Sequence, residues 1–215
     1  MAATLAEAAR WLPAEEQLET RDVSGARRGG GKVGWLRWSS PTLAVEVDNA
    51  RIGWSLAPLL ERRVQLGEVH AERVRLSATP NPDAPKSEPL QQLALPVSID
   101  VPFSVDRIEW AGSPPVEVLA LSGRYHYDRV QHHLKIDGVD LAQGHYALDA
   151  TLQAAAPMAL QATLQGQVRT ATPGNEQQPL ELSAHAHISG TVATEAARLQ
   201  VLAQLRPPTA QTAEI

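Results

Sequence analysis

From residue 158 to 168 the chain reads Met-Ala-Leu-Gln-Ala-Thr-Leu-Gln-Gly-Gln-Val. Met158, Leu160, Ala162, Leu164, Gly166 and Val168 fall on one side of a period of two, and Ala159, Gln161, Thr163, Gln165 and Gln167 on the other. This predicts a β-strand with one apolar and one wet side. At about 3.3 Å per residue it would run roughly 36 Å, long against a usual strand of about five or six residues.

The same alternation recurs along most of the chain. It predicts strands at Gln17–Ser24, Trp35–Ser39, Leu43–Asp48, Arg51–Leu56, Val64–Val69 and Arg73–Ala78, with a loop at Gly25–Gly34 and one helical turn at Ala57–Arg63. Further strands follow at Pro96–Val101, Ser104–Trp110, Glu117–Tyr127, His132–Val139, His145–Leu152, Leu180–Val192 and Ala197–Leu205. In Glu117–Tyr127 the apolar side reads Leu119, Leu121, Gly123, Tyr125 and Tyr127. Helical spacing occurs in residues 2–12, where Leu5, Ala8, Ala9 and Leu12 precede Pro13. With short turns such as Asp128-Arg129 and Gln143-Gly144, and no helix after residue 63, the expected fold is all-β: an antiparallel meander with one short N-terminal helix. The expected divisions are a helix at 1–13, a first β unit at 14–78, a Pro-rich loop at 79–92, a repeated β region at 93–206 and a disordered tail at 207–215.

Composition narrows the functions. Hydrophobic residues make up 43% of the 215, as in soluble globular chains, so neither wholesale disorder nor a helical membrane bundle is indicated. The net charge of −5 offers little to nucleic acid, and the one basic patch, Arg27, Arg28 and Lys32 among glycines, reads as a loop. The absence of cysteine excludes disulfides, thiolate metal sites and a Cys nucleophile. Glu7 and Arg10 interrupt the region where a signal peptide would be unbroken, so the sequence as written is expected to carry no targeting segment.

One side of such a sheet must be covered, by a second sheet, by barrel closure, or by an apolar ligand in a curved groove. At roughly 25 cal/mol per Å², leaving it bare would cost far more than the about 5–15 kcal/mol a domain has in hand. The small Ala162, Gly166, Ala184, Ala186, Gly190 and Ala203 on that side, the long strands and the tight turns favour a groove; a sandwich or barrel stays open.

Residues 33–60, with Trp54 followed by Pro58-Leu59-Leu60, then Val64–Leu76, a Pro-rich loop and Leu95-Pro96-Val97-Ser98-Ile99, resemble the membrane-proximal start of the TamB family, inner-membrane subunits of a translocation and assembly module in Gram-negative bacteria. The stretch from Leu121-Ser122-Gly123 to Gly166 resembles the same family's repeats. The resemblance places the chain beside the AsmA-like bridge-like lipid transporters. It implies a β-groove in the periplasm, anchored in the inner membrane, that conducts phospholipid acyl chains and supports outer-membrane and autotransporter assembly with a TamA-like outer-membrane barrel. The anchor helix and the long C-terminal part of that family are absent from this sequence, so it reads as an N-terminal portion. The residues expected to line the groove are Leu119, Leu121, Tyr125, Leu148, Leu152, Leu160, Leu164, Val168, Leu182, Ile188, Leu199 and Val201. The alternative is a closed sandwich or barrel acting as an interaction scaffold in the envelope.

No catalytic constellation stands out, and neither enzyme activity, cofactor nor metal is expected. His132-His133 reads as a solvated turn, His185 and His187 as wet-face residues, and Asp137-Gly138-Val139-Asp140 as a turn or bulge without the remaining ligands of a calcium loop. Trp35, Trp38 and Trp54 read either as the core of the narrow end of the sheet, which is preferred, or as an interfacial belt.

Overall fold

A computed structural model describes residues 16–26, 30–54, 63–78, 92–172, 175–193 and 198–206. They form one sheet whose strands lie side by side in chain order. These are β1 (Gln17–Ala26), β2 (Gly30–Ser39), β3 (Leu43–Trp54), β4 (Arg63–Ala78), β5 (Ser98–Trp110), β6 (Val116–Tyr127), β7 (Gln131–Leu141), β8 (Gly144–Gln153), β9 (Ala159–Thr172), β10 (Asn175–Thr191) and β11 (Arg198–Arg206). The sheet is open: β1 and β11 are its two edges, and no second sheet lies against it among the described residues. The expected N-terminal helix, the helical turn after Leu56 and the tail at 207–215 fall outside the described residues, which contain no helix.

Several expected pairs of short strands are single long ones. Leu43–Asp48 and Arg51–Leu56 fuse into β3, Val64–Val69 and Arg73–Ala78 into β4, and β5 runs straight through Pro102. Pro102 is tolerated because it lies opposite an irregularity in the β4–β5 ladder, between the pairs Gln65↔Asp100 and Val69↔Phe103, where a donor is not required. The expected Gly25–Gly34 loop is mostly strand, since Gly30–Gly34 belong to β2.

The meander has one exception. β4 and β5 pair in parallel, Val74 beside Ile108 and Leu76 beside Trp110. The chain between them therefore returns to the end where β4 began before β5 starts. The last part of that return, Gln92–Leu95, lies across the ends of β6 to β8. Gln92 bridges Ala155, and the Leu93 N–H donates to the Ala154 carbonyl at 2.8 Å.

A crease crosses the first seven strands. The apolar side passes from Thr20 to Val23 in β1, Val33 to Leu36 in β2, Ala71 to Val74 in β4, Val105 to Ile108 in β5 and Val118 to Leu121 in β6, each an odd step where simple alternation needs an even one. The residues at the step face one another across the strands: Asp22 opposite Gly34, Gly34 opposite Asn49, Glu72 opposite Asp106, Asp106 opposite Ala120. Asp22, Asn49 and Ala120 take left-handed backbone, with φ of 54°, 52° and 51°. Asn49 donates from Nδ2 to Glu72 Oε2 at 2.6 Å, and a Cβ on Gly34 would stand 2.7 Å from that of Asp22. Asp and Asn enter this region readily, whereas alanine pays roughly 1–2 kcal/mol. Ala120→Gly is therefore expected to raise stability by about 0.5–1 kcal/mol, seen as a higher urea midpoint at unchanged slope; a lower midpoint would mean the crease is not strained there.

Candidate functional site

The uncovered side of the sheet is its candidate functional surface, and the register shows how continuous it is. Pairing partner by partner, one transverse row runs Gly25, Gly31, Ile52, Val69, Phe103, Gly123, Ile136, Leu148, Leu164, Ala186, Ala203 from one edge to the other. It contains no polar side chain. On one side of it runs a parallel row, Val101, Tyr125, Leu134, Ala150, Ala162, Ile188, Val201. Beyond the crease another reads Thr20, Leu36, Val47, Val74, Ile108, Val118, Leu141, Gly144, Val168, Leu182. Cross-strand partners share a face, so these rows form one apolar surface. Most of its residues are only half-buried, because among the described residues only their own neighbours shield them.

Eleven of the twelve residues expected to line the groove lie on this side: Leu121, Tyr125, Leu148, Leu152, Leu160, Leu164, Val168, Leu182, Ile188, Leu199 and Val201. Leu119 does not. It sits in a polar row between Arg107 and Asp140, because the left-handed Ala120 inverts the alternation between it and Leu121. There it lines a notch of about 510 Å³ with Asp140, His145, Gln167, Arg169 and Glu181. On the edge strand, Leu199, Val201 and Leu205 are 53%, 58% and 67% exposed, so the apolar surface runs out to an unprotected edge.

One end of the surface is closed. The incoming segment Gln92–Leu95 lies over Tyr127, His132 and Ala154, which with Met158 and Ala193 are the buried side chains of this end. The Leu95 N–H donates to the Tyr127 hydroxyl at 3.1 Å. His132, expected in a solvated turn, is 6% exposed and stacks on Tyr127 with ring centroids 4.4 Å apart. Its Nε2 is 2.7 Å from the Leu93 carbonyl, which can only accept, so Nε2 carries the proton; Nδ1 then accepts from the Tyr125 hydroxyl at 2.6 Å. Burial, and after it the neighbouring Tyr127, push the Tyr125 phenol above its ordinary range. Pattern reading missed this cap because its histidine is satisfied by a carbonyl 39 positions away. His133 faces the other side and meets Asp149 Oδ1 at 2.8 Å.

The opposite face is wet and charged. Arg37, Glu46, Arg75, Glu109 and Glu117 are successive partners across β2 to β6. Arg75 reaches Glu46 at 3.6 Å, Asp48 at 3.3 Å and Glu109 at 3.2 Å, and Arg107 reaches Glu117 at 3.2 Å. Exposed pairs of this kind contribute little singly, about 0–1 kcal/mol, but they tie the solvated side to water. His185 and His187 lie exposed on this face. Asp137 and Asp140 lie within β7, with Asp137 beside Lys135 at 3.2 Å and Asp140 beside His145 at 2.6 Å. Trp35 and Trp38 do not form one group: Trp35 lies under the Arg21 guanidinium at 4.5 Å, while Trp38 belongs to the apolar side beside Leu18 and Val45, its Nε1 donating to Glu16 at 3.0 Å. The Trp54 side chain lies outside the described residues.

In the β6–β7 hairpin, Asp128 Oδ1 accepts from the Val130 and Gln131 N–H groups, both at 2.8 Å, and these bonds hold its carboxyl below the ordinary range. A lowered folded value stabilises the fold above the ordinary carboxylate range, and that contribution is lost as pH falls through the lowered value. Asp128→Ala should cost about 1 kcal/mol at neutral pH, with the gap to the parent narrowing in acid. A gap independent of pH would show that charge plays no part.

No family model, curated protein or solved structure matches this chain. What the geometry defines is a class of architecture: a single open sheet of eleven strands, apolar on one side and charged on the other.

Proposed function

We propose that the chain is the N-terminal portion of a TamB-like β-groove protein. In this reading the sheet curls into a trough that binds phospholipid acyl chains and conducts them between the inner and outer membranes. It works in the periplasm, joined to an inner-membrane anchor and a TamA-like outer-membrane barrel, in support of outer-membrane and autotransporter assembly.

The observation that carries the reading is the transverse row from Gly25 to Ala203, apolar across eleven strands with no described layer over it. Acyl chains can cover such a strip without specific contacts, and burying it recovers roughly 25 cal/mol per Å² of apolar area. The glycines and alanines leave room along it.

A second reading, an interaction scaffold, is favoured by β11, whose apolar side chains stand exposed on a strand with a free edge. It would recruit a partner by strand addition. Native mass spectrometry of protein purified without detergent separates the two. Co-purifying phospholipid supports the groove, whereas a lipid-free monomer that melts cooperatively counts against it and in favour of the scaffold.

A further inference from the structure

Two cations stand side by side on the polar face, at the corner of the sheet where β1 meets β2. Here a row of paired residues reads Ser24, Lys32, Arg51, His70, Ser104 across five strands. Lys32 and Arg51 are direct cross-strand partners on neighbouring strands. Like charges placed opposite one another in a ladder are destabilising, and where this face sets them together elsewhere, Arg73 beside Arg107 and Glu109 beside Glu117, opposite charges join the group: Arg73 and Arg107 reach Glu109, and Arg107 reaches Glu117. Arg37, Arg73, Arg75, Arg107 and Arg124 each have a carboxylate partner within 4 Å. Among the described residues of β2 to β6, no ion pair reaches Lys32 or Arg51. At the far end of the row Glu68 accepts from the Ser104 hydroxyl at 2.8 Å, and Asp106 stands 3.6 Å from His70.

Beside the two cations the face is hollow. Gly30 and Gly53 carry no side chain there and let the strands approach closely: a Cβ on Gly30 would stand 2.6 Å from the Ile52 carbonyl oxygen, and one on Gly53 would stand 3.2 Å from Gly67 Cα. Gly30, with φ of 115°, holds a conformation only glycine takes readily. The resulting cleft of about 390 Å³ is lined, among the described residues, by Ser24, four glycines, Lys32, Arg51 and Ile52, with no carboxylate in that set. The chain as a whole carries a net charge of −5, whereas the described lining of this cleft holds two cations and no acid.

We propose that this corner binds a phosphate group, with Lys32 and Arg51 as its charge partners, Arg51 in two-pronged contact, and the Ser24 hydroxyl as a further donor. The anion removes the repulsion between the two cations, which supplies the differential affinity. The phosphate comes either from a phospholipid headgroup at a bilayer surface or from a free phosphate in solution. Ser24, Lys32 and Arg51 alternate with Gly25, Gly31 and Ile52 of the apolar row, so the three polar side chains stand on the opposite face, and the proposal does not depend on whether that row carries lipid.

The test uses the full chain in two arms. In the first, inorganic phosphate is titrated against chloride at matched ionic strength while backbone amides are followed by NMR. In the second, flotation compares vesicles of phosphatidylcholine alone with vesicles that also contain phosphatidylglycerol. Each arm is repeated with Lys32→Gln/Arg51→Gln and with the control Arg124→Gln, which alters charge elsewhere on the same face. Phosphate-specific shifts at Ser24, Gly31, Lys32 and Gly53, weakened about tenfold or more by the double substitution and not by the control, assign a free-phosphate site. A preference for phosphatidylglycerol vesicles lost in the double variant alone assigns the headgroup. The proposal is overturned if chloride reproduces the shifts and vesicle binding ignores both lipid charge and the double substitution, which would place membrane contact on the apolar face.

Discussion

Tyr127→Ala is expected to lower folding stability by about 3–5 kcal/mol, read as a fall in the urea midpoint at constant slope. Tyr127 is fully buried in a sheet whose side chains are otherwise mostly half-exposed. It holds three things together: the His132 ring at 4.4 Å, the incoming segment through the Leu95 N–H at 3.1 Å, and its own strand pair with Ile99. Truncation leaves a cavity beneath Gln92–Leu95 that the crossing segment cannot refill without giving up the Ala154 and His132 hydrogen bonds. Against a total of about 5–15 kcal/mol, such a loss would remove much of the margin. Tyr127→Phe keeps the ring and removes only the acceptor for Leu95, so it should cost about 1 kcal/mol and show first as faster hydrogen exchange at Leu95. A Tyr127→Ala loss below about 1 kcal/mol would mean that the cap is not held as described.

The second large effect concerns binding. Leu164→Glu should reduce co-purified phospholipid about tenfold or more, because a carboxylate between Leu148 and Ala186 must be desolvated by any chain lying along the row. The fold should survive, with a loss of about 1–2 kcal/mol, since Leu164 is only partly buried and no layer among the described residues covers it. Gln165→Glu places the same charge one residue along on the wet face and should leave lipid recovery unchanged. Equal recovery from Leu164→Glu and the parent would remove the apolar row from the function.

These two sites differ in how far the sequence announced them. The apolar side of β8 to β11 was legible because alternation is a property of neighbours along one strand; towards the other edge of the row, Gly25 and Gly31 fell in an expected loop and Phe103 between two expected strands. Leu148, Leu164, Leu182 and Ile188 stand on the side of the sheet that their spacing predicts. Leu119 does not, because one left-handed residue, Ala120, reverses the faces and alanine gives no warning of it. The cap was hidden for a different reason: His132 looks like a turn residue until a segment from far upstream supplies a carbonyl to its ring. The paired cations at Lys32 and Arg51 were also invisible, since 19 positions separate them and only the β2–β3 register brings them together.

The sequence by itself determined that this protein is built of long strands with one apolar and one wet side, since a period of two acts within a few bonds of each residue. Tertiary structure alone decided that β4 and β5 run parallel, that a crease inverts the alternation over seven strands, that one end of the apolar surface is capped, and that the sheet stays open from β1 to β11. Each of these depends on which strand ends meet across tens of residues. Local alternation fixes the faces of a strand, but it is indifferent to the partner that strand finds.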